Sequence, residues 1–341
     1  MIPHNKPSIG SEESQAIAKV IASGWVAPGA KVAEFEQAFA DYIKAKYAIA
    51  VNSGTAASYI ALKALSIGKG SEVLLPTYAC AALPNAVNMT GANFILHDIN
   101  KNDFNIKRIR HMDGVANVSI IVHTFGVPQE IKQNGKYPYI IEDCSQALGS
   151  YINGQHVGLQ GDIGIFSFGP SKMITTGSGG MLVTNNKGLA DKAREFIDYD
   201  KHVPAFNFAM NDIQAAMGIE QLKKLPTFLR RRECMAQEYI KHILDSGKYW
   251  AVQEGGYNKR NWHRFVIVGN FVDRLKQHLA DNGITTIVPI MQSELLHNML
   301  SMDKANFPNA EYIATHSLSL PIYPELYNDG FEKIIEALKG F

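Results

Sequence analysis

The chain has 341 residues, of which 46% are hydrophobic and 19% are charged, and its formal net charge is +1. This length can bury a large core and suggests two domains, or one large domain with an appendage, and the composition excludes a disordered chain. The near-zero net charge gives no electrostatic basis for binding nucleic acid or an anionic membrane.

Three widely spaced cysteines form no CxxC pair, which favours a reducing compartment and gives no metal-binding signature. The first residues, Met1 to Lys6, lack the apolar core of a secretory signal. No stretch reaches the length of a membrane span. We therefore expect a cytoplasmic protein that binds neither membrane nor nucleic acid.

Helical periodicity opens the chain, and an alternating pattern follows it. Apolar residues share one face after Ser11 and again from Val32 to Tyr42, which predicts two amphipathic helices, the first ending near Gly24. Short apolar runs that alternate with helical segments then predict a mainly parallel sheet covered on both faces. The predicted strands are residues 47–51, 72–75, 93–96, 118–122, 139–141, 163–168 and 181–184, with helices at 54–65 and 83–89.

The pattern changes beyond Asn211. Residues 212–225 and 228–244 predict two consecutive long helices with Pro226 between them. A strand at 262–268, a helix at 274–281 and a terminal helix at 331–338 follow. We therefore predict a large domain of residues 1–225, which includes the N-terminal helical segment, and a smaller C-terminal α+β domain of residues 226–341.

Polar residues cluster directly after three of the predicted strands, at residues 52–55, 142–146 and 167–172. Ligands of open α/β sheets bind beyond the carboxyl ends of the strands. The three clusters therefore predict one functional site at that edge of the sheet.

Lys172 lies between an apolar strand and a glycine-rich turn. A lysine is normally a solvated surface residue. At the end of a buried strand, however, it can be desolvated and become a nucleophile that forms Schiff bases with carbonyl compounds or with pyridoxal phosphate. For the residue alone both interpretations are open.

A possible anion site and a carboxylate accompany this lysine. Gly54 follows Ser53 at a strand-to-helix junction, where free N–H groups and the helix dipole favour an anion, unless Ser53 merely caps an ordinary turn. No GxGxxG or GxxxxGK[ST] motif supports a dinucleotide site or a P-loop. Asp143 ends a strand and needs a cationic partner, either a protonated pyridine nitrogen or a structural one. Glu142 would point to the opposite face and is the weaker candidate.

Together these features predict a pyridoxal phosphate pocket. Its phosphate would bind at the helix N-terminus, its ring nitrogen at Asp143 and its aldehyde carbon at Lys172.

Four sequence motifs, in this order along the chain, resemble those of a known protein family. They are Asn52-Ser53-Gly54-Thr55-Ala56-Ala57, Glu142-Asp143-Cys144-Ser145-Gln146-Ala147, Phe166-Ser167-Phe168-Gly169-Pro170-Ser171-Lys172 and Met210-Asn211-Asp212-Ile213-Gln214-Ala215-Ala216. Over nearly its whole length the chain resembles the DegT/DnrJ/EryC1/StrS aminotransferases, the sugar aminotransferases of bacterial surface polysaccharide and antibiotic pathways. The resemblance implies a type I aspartate-aminotransferase-like fold and a homodimer with shared active sites. It also implies L-glutamate as the usual amino donor and a keto sugar, most often nucleotide-linked, as acceptor.

The resemblance also assigns roles to single residues. It makes Lys172 the Schiff-base lysine, Asp143 the partner of the pyridine nitrogen, and Gln146 the hydrogen-bond partner of the cofactor's phenolic oxygen. The phosphate would be held by the residues that match the family's phosphate site, namely Gly54, Thr55, Ser167 and, from the neighbouring subunit, Asn207.

The chain departs from the family pattern near the expected substrate. Many relatives have an aromatic residue stacked on the cofactor ring where this chain has Cys80, so Tyr78 or another side chain would have to cover that face. Gly169, Ser178 and Ala209 replace the family's frequent histidine, glutamate and arginine. These differences leave the acceptor sugar open.

Two rival functions remain. Sugar dehydratases of the same superfamily typically replace the lysine with histidine, and Lys172 therefore favours a transaminase. A non-catalytic protein on the same fold is the second alternative, against which the complete set of cofactor residues argues.

Overall fold

The computed structural model describes residues 1–107, 116–131, 139–198, 200–243, 249–251 and 258–341. The helices of these ranges are α1 (Ser11–Ser23), α2 (Ala30–Ile43), α3 (Gly54–Ala64), α4 (Ala82–Thr90), α5 (Lys187–Ile197), α6 (Asp212–Ile243), α7 (Val272–Asp281), α8 (Leu296–Met299), α9 (Pro308–His316), α10 (Leu326–Asp329) and α11 (Phe331–Lys339). The strands are β1 (Tyr47–Val51), β2 (Glu72–Pro76), β3 (Asn93–His97), β4 (Val118–Val122), β5 (Tyr139–Asp143), β6 (Tyr151–Ile152), β7 (Gln155–His156), β8 (Ile163–Ser167), β9 (Gly180–Thr184), β10 (Trp250–Ala251), β11 (Phe265–Val268) and β12 (Ser317–Leu320).

A seven-stranded sheet in the order β1-β9-β8-β5-β4-β2-β3 organises the first part of the chain. Strands β8, β5, β4, β2 and β3 pair in parallel, and β9 runs antiparallel to both β8 and β1. The strands are apolar and mostly buried because helices cover the sheet. All seven strands predicted for this region are present, so the mainly parallel sheet is confirmed.

The prediction of two helices on either side of Pro226 was wrong, because α6 continues through this proline. A proline inside a helix removes one backbone hydrogen bond and costs about 3 kcal/mol. Leu222, Leu225 and Phe228 are all buried beside it. Burying each such side chain contributes about 1.5–3 kcal/mol, which outweighs the lost bond. Leu244, the predicted end of the second helix, lies outside the described residues.

The predicted strand at 262–268 was also too long, since β11 begins only at Phe265. Trp262 has a φ of 53°, in the left-handed region, and its side chain is buried. The chain therefore turns at Trp262 before it extends.

The hydrophobic core has separate parts along the chain. One large cluster lies around α3 and the parallel strands, and a second lies between α2 and the strands at the other face. A third is formed by residues from Met235 onward, joined by Ile2. The division at residue 226 stays a prediction, and Pro226 itself lies within α6, which carries residues of both the second and the third cluster. Among the helices that the structure describes, none combines the length and the hydropathy of a membrane span.

Candidate active site

Three predicted polar clusters meet at one edge of the large sheet. Strand β9 begins at Gly180, which pairs with Val51 at the end of β1 and with Ser167 at the end of β8. Asp143 ends β5, the neighbour of β8, and pairs with Ile165. The carboxyl ends of β1, β5 and β8 therefore share the edge where the sequence predicts the site.

The N-terminus of α3 begins directly after β1. The Ser53 hydroxyl accepts a hydrogen bond from the Ala56 N–H at 3.1 Å, so Ser53 is an N-cap, as the alternative interpretation of this turn expected. The cap does not use the N–H groups of Gly54 and Thr55, and the first N–H groups of a helix have no partner within it. Capping and anion binding are thus compatible at this turn, because they use different N–H groups.

Ser167 packs directly against this helix start. A β-carbon added to Gly54 would lie 2.8 Å from Ser167 Cβ and 2.9 Å from Ser167 Oγ, which is closer than side chains approach each other. A β-carbon on Gly180 would lie 2.4 Å from the Ser53 carbonyl oxygen. Both glycines are therefore needed for the close approach of β8 and β9 to the start of α3.

We expect Gly54→Ala to weaken binding of the predicted cofactor, because the added methyl group would push the start of α3 away from Ser167. Overpacking of this kind costs about 1–3 kcal/mol, so the dissociation constant of pyridoxal phosphate should rise roughly tenfold or more. Fluorescence titration of the cofactor-free protein measures it. Gly68→Ala is the matched control, since the nearest atom to its new β-carbon, the Thr90 carbonyl oxygen, is 3.6 Å away. Equal affinities of the two variants would contradict the expectation.

Asp143 and Gln146 are held in fixed orientations on the segment after β5. Asp143 Oδ1 accepts a hydrogen bond from the Ser145 N–H at 2.9 Å, and the side chain is 8% exposed. Gln146 Oε1 accepts a hydrogen bond from the Phe125 N–H at 2.8 Å. Because the oxygen of the Gln146 amide is used in this way, its NH₂ group remains available as a donor.

Lys172 lies in a loop between β8 and β9, and two backbone hydrogen bonds of Phe168 join the two ends of this loop. The Phe168 N–H donates to the Gly179 carbonyl at 2.9 Å, and the Phe168 carbonyl accepts from the Thr176 N–H at 3.0 Å. Met173 and Ile174, directly after the lysine, are buried in the second hydrophobic cluster. Lys172 is therefore presented by an anchored loop.

Burial lowers the pKa of Lys172, because an ammonium group is poorly stabilised away from water. The negative charge of Asp143 acts against this shift, and the positive charge of Arg264 adds to it. A larger fraction of this side chain than of an exposed lysine is therefore the neutral amine, the nucleophilic form.

Glu142 points away from this site, as the alternation along β5 predicts. Its Oε2 accepts hydrogen bonds from His123 Nε2 at 2.9 Å and from the Gly158 N–H at 2.8 Å. Its Oε1 accepts from the Gln160 and Gly161 N–H groups, each at 2.7 Å. Burial alone would raise the pKa of Glu142, but these bonds hold it below its usual range.

His123 and Glu142 come close enough to Cys144 to resemble a metal site. The protein's own hydrogen bonds, however, already occupy the carboxylate.

Asn207 belongs to the loop beside the start of α3. Its carbonyl accepts a hydrogen bond from the Asn52 side chain at 3.1 Å, and the Phe208 carbonyl accepts from the Asn52 N–H at 2.8 Å. Asn207 is exposed. It therefore lies near this site on the surface, where a side chain can reach a second subunit.

The sequence interpretation missed two residues at this site. One is Gly180 at the start of β9, where a pair of glycines signals close backbone approach. Arg264 lies in a different part of the chain, and its positive charge lowers the pKa of Lys172. Nothing in the local pattern distinguished it from a polar residue at the start of a strand.

The family model described as DegT/DnrJ/EryC1/StrS aminotransferase family matches residues 7–339. The chain belongs to this aminotransferase family. It is 32% identical over 363 residues to the GDP-perosamine synthase of Escherichia coli O157:H7, with 100% of this chain and 98% of that protein covered. It is 30% identical over 378 residues to the spore coat polysaccharide biosynthesis protein SpsC of Bacillus subtilis, with 99% and 96% covered.

Solved structures of two other proteins share the fold of this chain. The crystal structure of a DegT DnrJ EryC1 StrS aminotransferase from Brucella abortus matches with a TM-score of 0.89 at 27% identity, covering 97% of this chain and 95% of that one. A Streptococcus pneumoniae protein solved in a PLP form matches with a TM-score of 0.89 at 23% identity, covering 99% and 98%. Its PMP form matches with a TM-score of 0.88 at 24% identity, covering 99% and 97%, and this likeness shows the fold alone.

These matches confirm the predicted family, fold class and enzyme class of this aminotransferase. The PLP and PMP forms are properties of the Streptococcus pneumoniae protein.

Proposed function

We propose that this protein is a pyridoxal-phosphate-dependent aminotransferase that moves an amino group from L-glutamate to a nucleotide-linked keto sugar. The observation that carries the proposal is the meeting of the α3 N-terminus, Asp143 and Lys172 at one edge of the sheet. Two relatives at 30% identity or more act in sugar metabolism by name, a GDP-perosamine synthase and a protein of spore coat polysaccharide biosynthesis. They support a sugar acceptor and a role in surface polysaccharide biosynthesis.

The residues at this edge fit pyridoxal phosphate. The start of α3 beside Ser167 offers hydrogen-bond donors for a phosphate group, which the N–H groups of Gly54 and Thr55 and the Ser167 hydroxyl would bind. Asp143 would pair with the protonated ring nitrogen, and the NH₂ group of Gln146 would donate to the phenolic oxygen. Asn207 would reach the phosphate of a second subunit, which requires a homodimer with shared sites.

When bound, pyridoxal phosphate supplies an aldehyde that receives the amino group and a ring that delocalises negative charge from the donor's α-carbon. Lys172 Nζ would first hold the cofactor covalently and would then carry the proton between the donor's α-carbon and the cofactor carbon that bears nitrogen. The lowered pKa of Lys172 suits this role, because the amine must be neutral to accept a proton. Asp143, as a carboxylate, would keep the ring nitrogen protonated throughout.

The donor half of the reaction tests the proposal. We expect the purified protein, supplied with pyridoxal phosphate, to show the visible absorbance of the lysine-bound cofactor and to lose that absorbance when L-glutamate is added. Formation of 2-oxoglutarate in an amount equal to the bound cofactor should accompany the loss. A protein that shows no such absorbance even after cofactor is added would instead be a non-catalytic member of the fold.

The acceptor requires a second experiment. The protein would be converted to its amino form with L-glutamate, freed of the donor and mixed with a panel of nucleotide-linked keto sugars and the corresponding free sugars. We expect the absorbance to return only with nucleotide-linked members. Return with free sugars at equal rates would contradict the nucleotide linkage, and release of water without amination would indicate a dehydratase.

A further inference from the structure

Arg264 lies on a segment that the protein fixes tightly against the candidate active site. Asn261 Nδ2 donates hydrogen bonds to the Gln146 carbonyl at 2.9 Å and to the Leu148 carbonyl at 3.0 Å. The buried Arg232 donates to the Trp262 and His263 carbonyls, each at 3.2 Å. Residues 261–263 are thus bonded both to the segment that carries Gln146 and to α6. The backbone directly before Arg264 is therefore held in a defined place next to the segment that carries Gln146.

The guanidinium group of Arg264 is directed towards the same place. It lies 5.7 Å from the centre of the Phe125 ring, and the Phe125 N–H is the group that orients Gln146. Arg264 Nη1 is buried and has no hydrogen-bond partner among the residues that the structure describes. A buried charged donor without a partner costs free energy, about 1–3 kcal/mol or more.

The surroundings of Arg264 do not neutralise its charge. Burial lowers the pKa of His263 well below its usual range and lowers that of His4 to about 4, so both imidazoles are neutral at pH 7. Tyr78 and the carboxylate of Glu294 are near enough to favour the charged guanidinium, but burial raises the pKa of Tyr78, so its hydroxyl is neutral at pH 7. Glu294 is exposed, its carboxylate accepts a hydrogen bond from the Met291 N–H, and it forms no ion pair with Arg264 within the described residues. The site therefore contains a positive charge with an unused, buried donor, which is suited to an anionic ligand.

The position of Arg264 relative to Lys172 identifies the kind of anion. The guanidinium lies 5.7 Å from the centre of the Phe125 ring, Asn261 ties this segment to Gln146, and the charge of Arg264 contributes to lowering the pKa of Lys172. A carboxylate bonded directly to the carbon that carries the reacting amino group must lie beside Lys172. In contrast, the phosphates of a nucleotide-linked sugar are separated from the reacting carbon by part of the sugar ring. The phosphate of the cofactor has its own predicted binding site at the start of α3.

We propose that Arg264 binds the α-carboxylate of the amino donor, in a bidentate ion pair that places the donor's amino group at Lys172. This inference rests on the proposed aminotransferase function. It makes Arg264 the residue that selects an amino acid rather than a simple amine as donor.

The test separates donor binding from the rest of the reaction. In Arg264→Met, the concentration of L-glutamate that half-saturates the donor half-reaction should rise roughly 100-fold, because a bidentate charge-assisted pair is lost. The half-saturating concentration of the acceptor with the amino form should not change. The dissociation constant of glutarate, an unreactive dicarboxylate, should rise by a similar factor in calorimetry of the cofactor-loaded protein. Arg264→Lys keeps the charge but not the planar pair of donors. Its half-saturating concentration of L-glutamate should therefore lie between those of the wild type and Arg264→Met.

Arg274→Met is the matched control, because Arg274 is exposed on α7. This variant should leave both half-saturating concentrations and the dissociation constant of glutarate unchanged. A rise in the acceptor's half-saturating concentration with normal donor binding would show that Arg264 binds an anion of the acceptor, and would overturn the inference. Unchanged values for both substrates in Arg264→Met would also overturn it. Failure of the wild-type protein to react with L-glutamate would instead refute the proposed function, so the two failures are distinguishable.

Discussion

Replacing Lys172 with alanine is expected to lower the turnover of the aminotransferase by at least roughly 10³-fold, because one side chain supplies both the covalent attachment and the proton transfer. The fold should survive the change. The Lys172 N–H still donates to the Gly169 carbonyl, and Met173 and Ile174 still anchor the loop in the core. Steady-state transamination and the thermal unfolding temperature are the measurements.

The covalent role has its own readout. Treating the loaded wild-type protein with sodium borohydride should fix the cofactor to the peptide that contains Lys172, and mass spectrometry should find no such adduct in Lys172→Ala. Lys187→Ala is the control, since Lys187 is exposed and pairs with Asp191 on the surface of α5. Normal transamination by Lys172→Ala would refute the assignment of this lysine.

The Asp143→Asn variant is expected to transaminate roughly 10²–10³-fold more slowly than the wild type, because the ring nitrogen would lose the charge that keeps it protonated. Asparagine has nearly the same shape and retains a side-chain oxygen to accept from the Ser145 N–H, so local structure should be kept. The loss should fall on kcat, with the half-saturating concentration of L-glutamate changed little. Asp191→Asn, at the other end of the exposed pair with Lys187, is the control. A fully active Asp143→Asn would show that another group serves the ring nitrogen.

The pKa of Lys172 gives a check that does not depend on turnover. Asp143 raises this pKa and Arg264 lowers it. Removing the negative charge in Asp143→Asn should therefore lower the pKa of Lys172, whereas removing the positive charge in Arg264→Met should raise it. The rate at which an amine-selective reagent labels Lys172 in the cofactor-free protein, measured against pH, reports both shifts. Shifts of the same sign in the two variants would mean that one of the two groups does not act on Lys172 as we infer.

The sequence predicted the large sheet well, because the information for it is local. Strands such as residues 47–51 and 118–122 are short apolar runs bounded by polar turns, and buried parallel strands have this pattern wherever they occur. The errors arose where tertiary contacts outweighed a local signal. Pro226 normally ends a helix, but buried side chains on both sides of it keep α6 continuous. The strand expected from Trp262 starts at Phe265, since the buried Arg232 holds the Trp262 and His263 carbonyls in a turn.

By itself the sequence determined the family and the sheet, and it predicted residues that would hold a cofactor, because Lys172, Asp143 and Gly54 each occupy a recognisable position near a strand end. The tertiary structure alone decided which groups surround Lys172. Ser167 meets Gly54 only because β8 and β1 flank β9, and Arg264 reaches the site from more than ninety residues further along the chain. Neither contact leaves a local pattern, since the free energy of burying a charge or matching two surfaces depends on neighbours in space rather than in sequence.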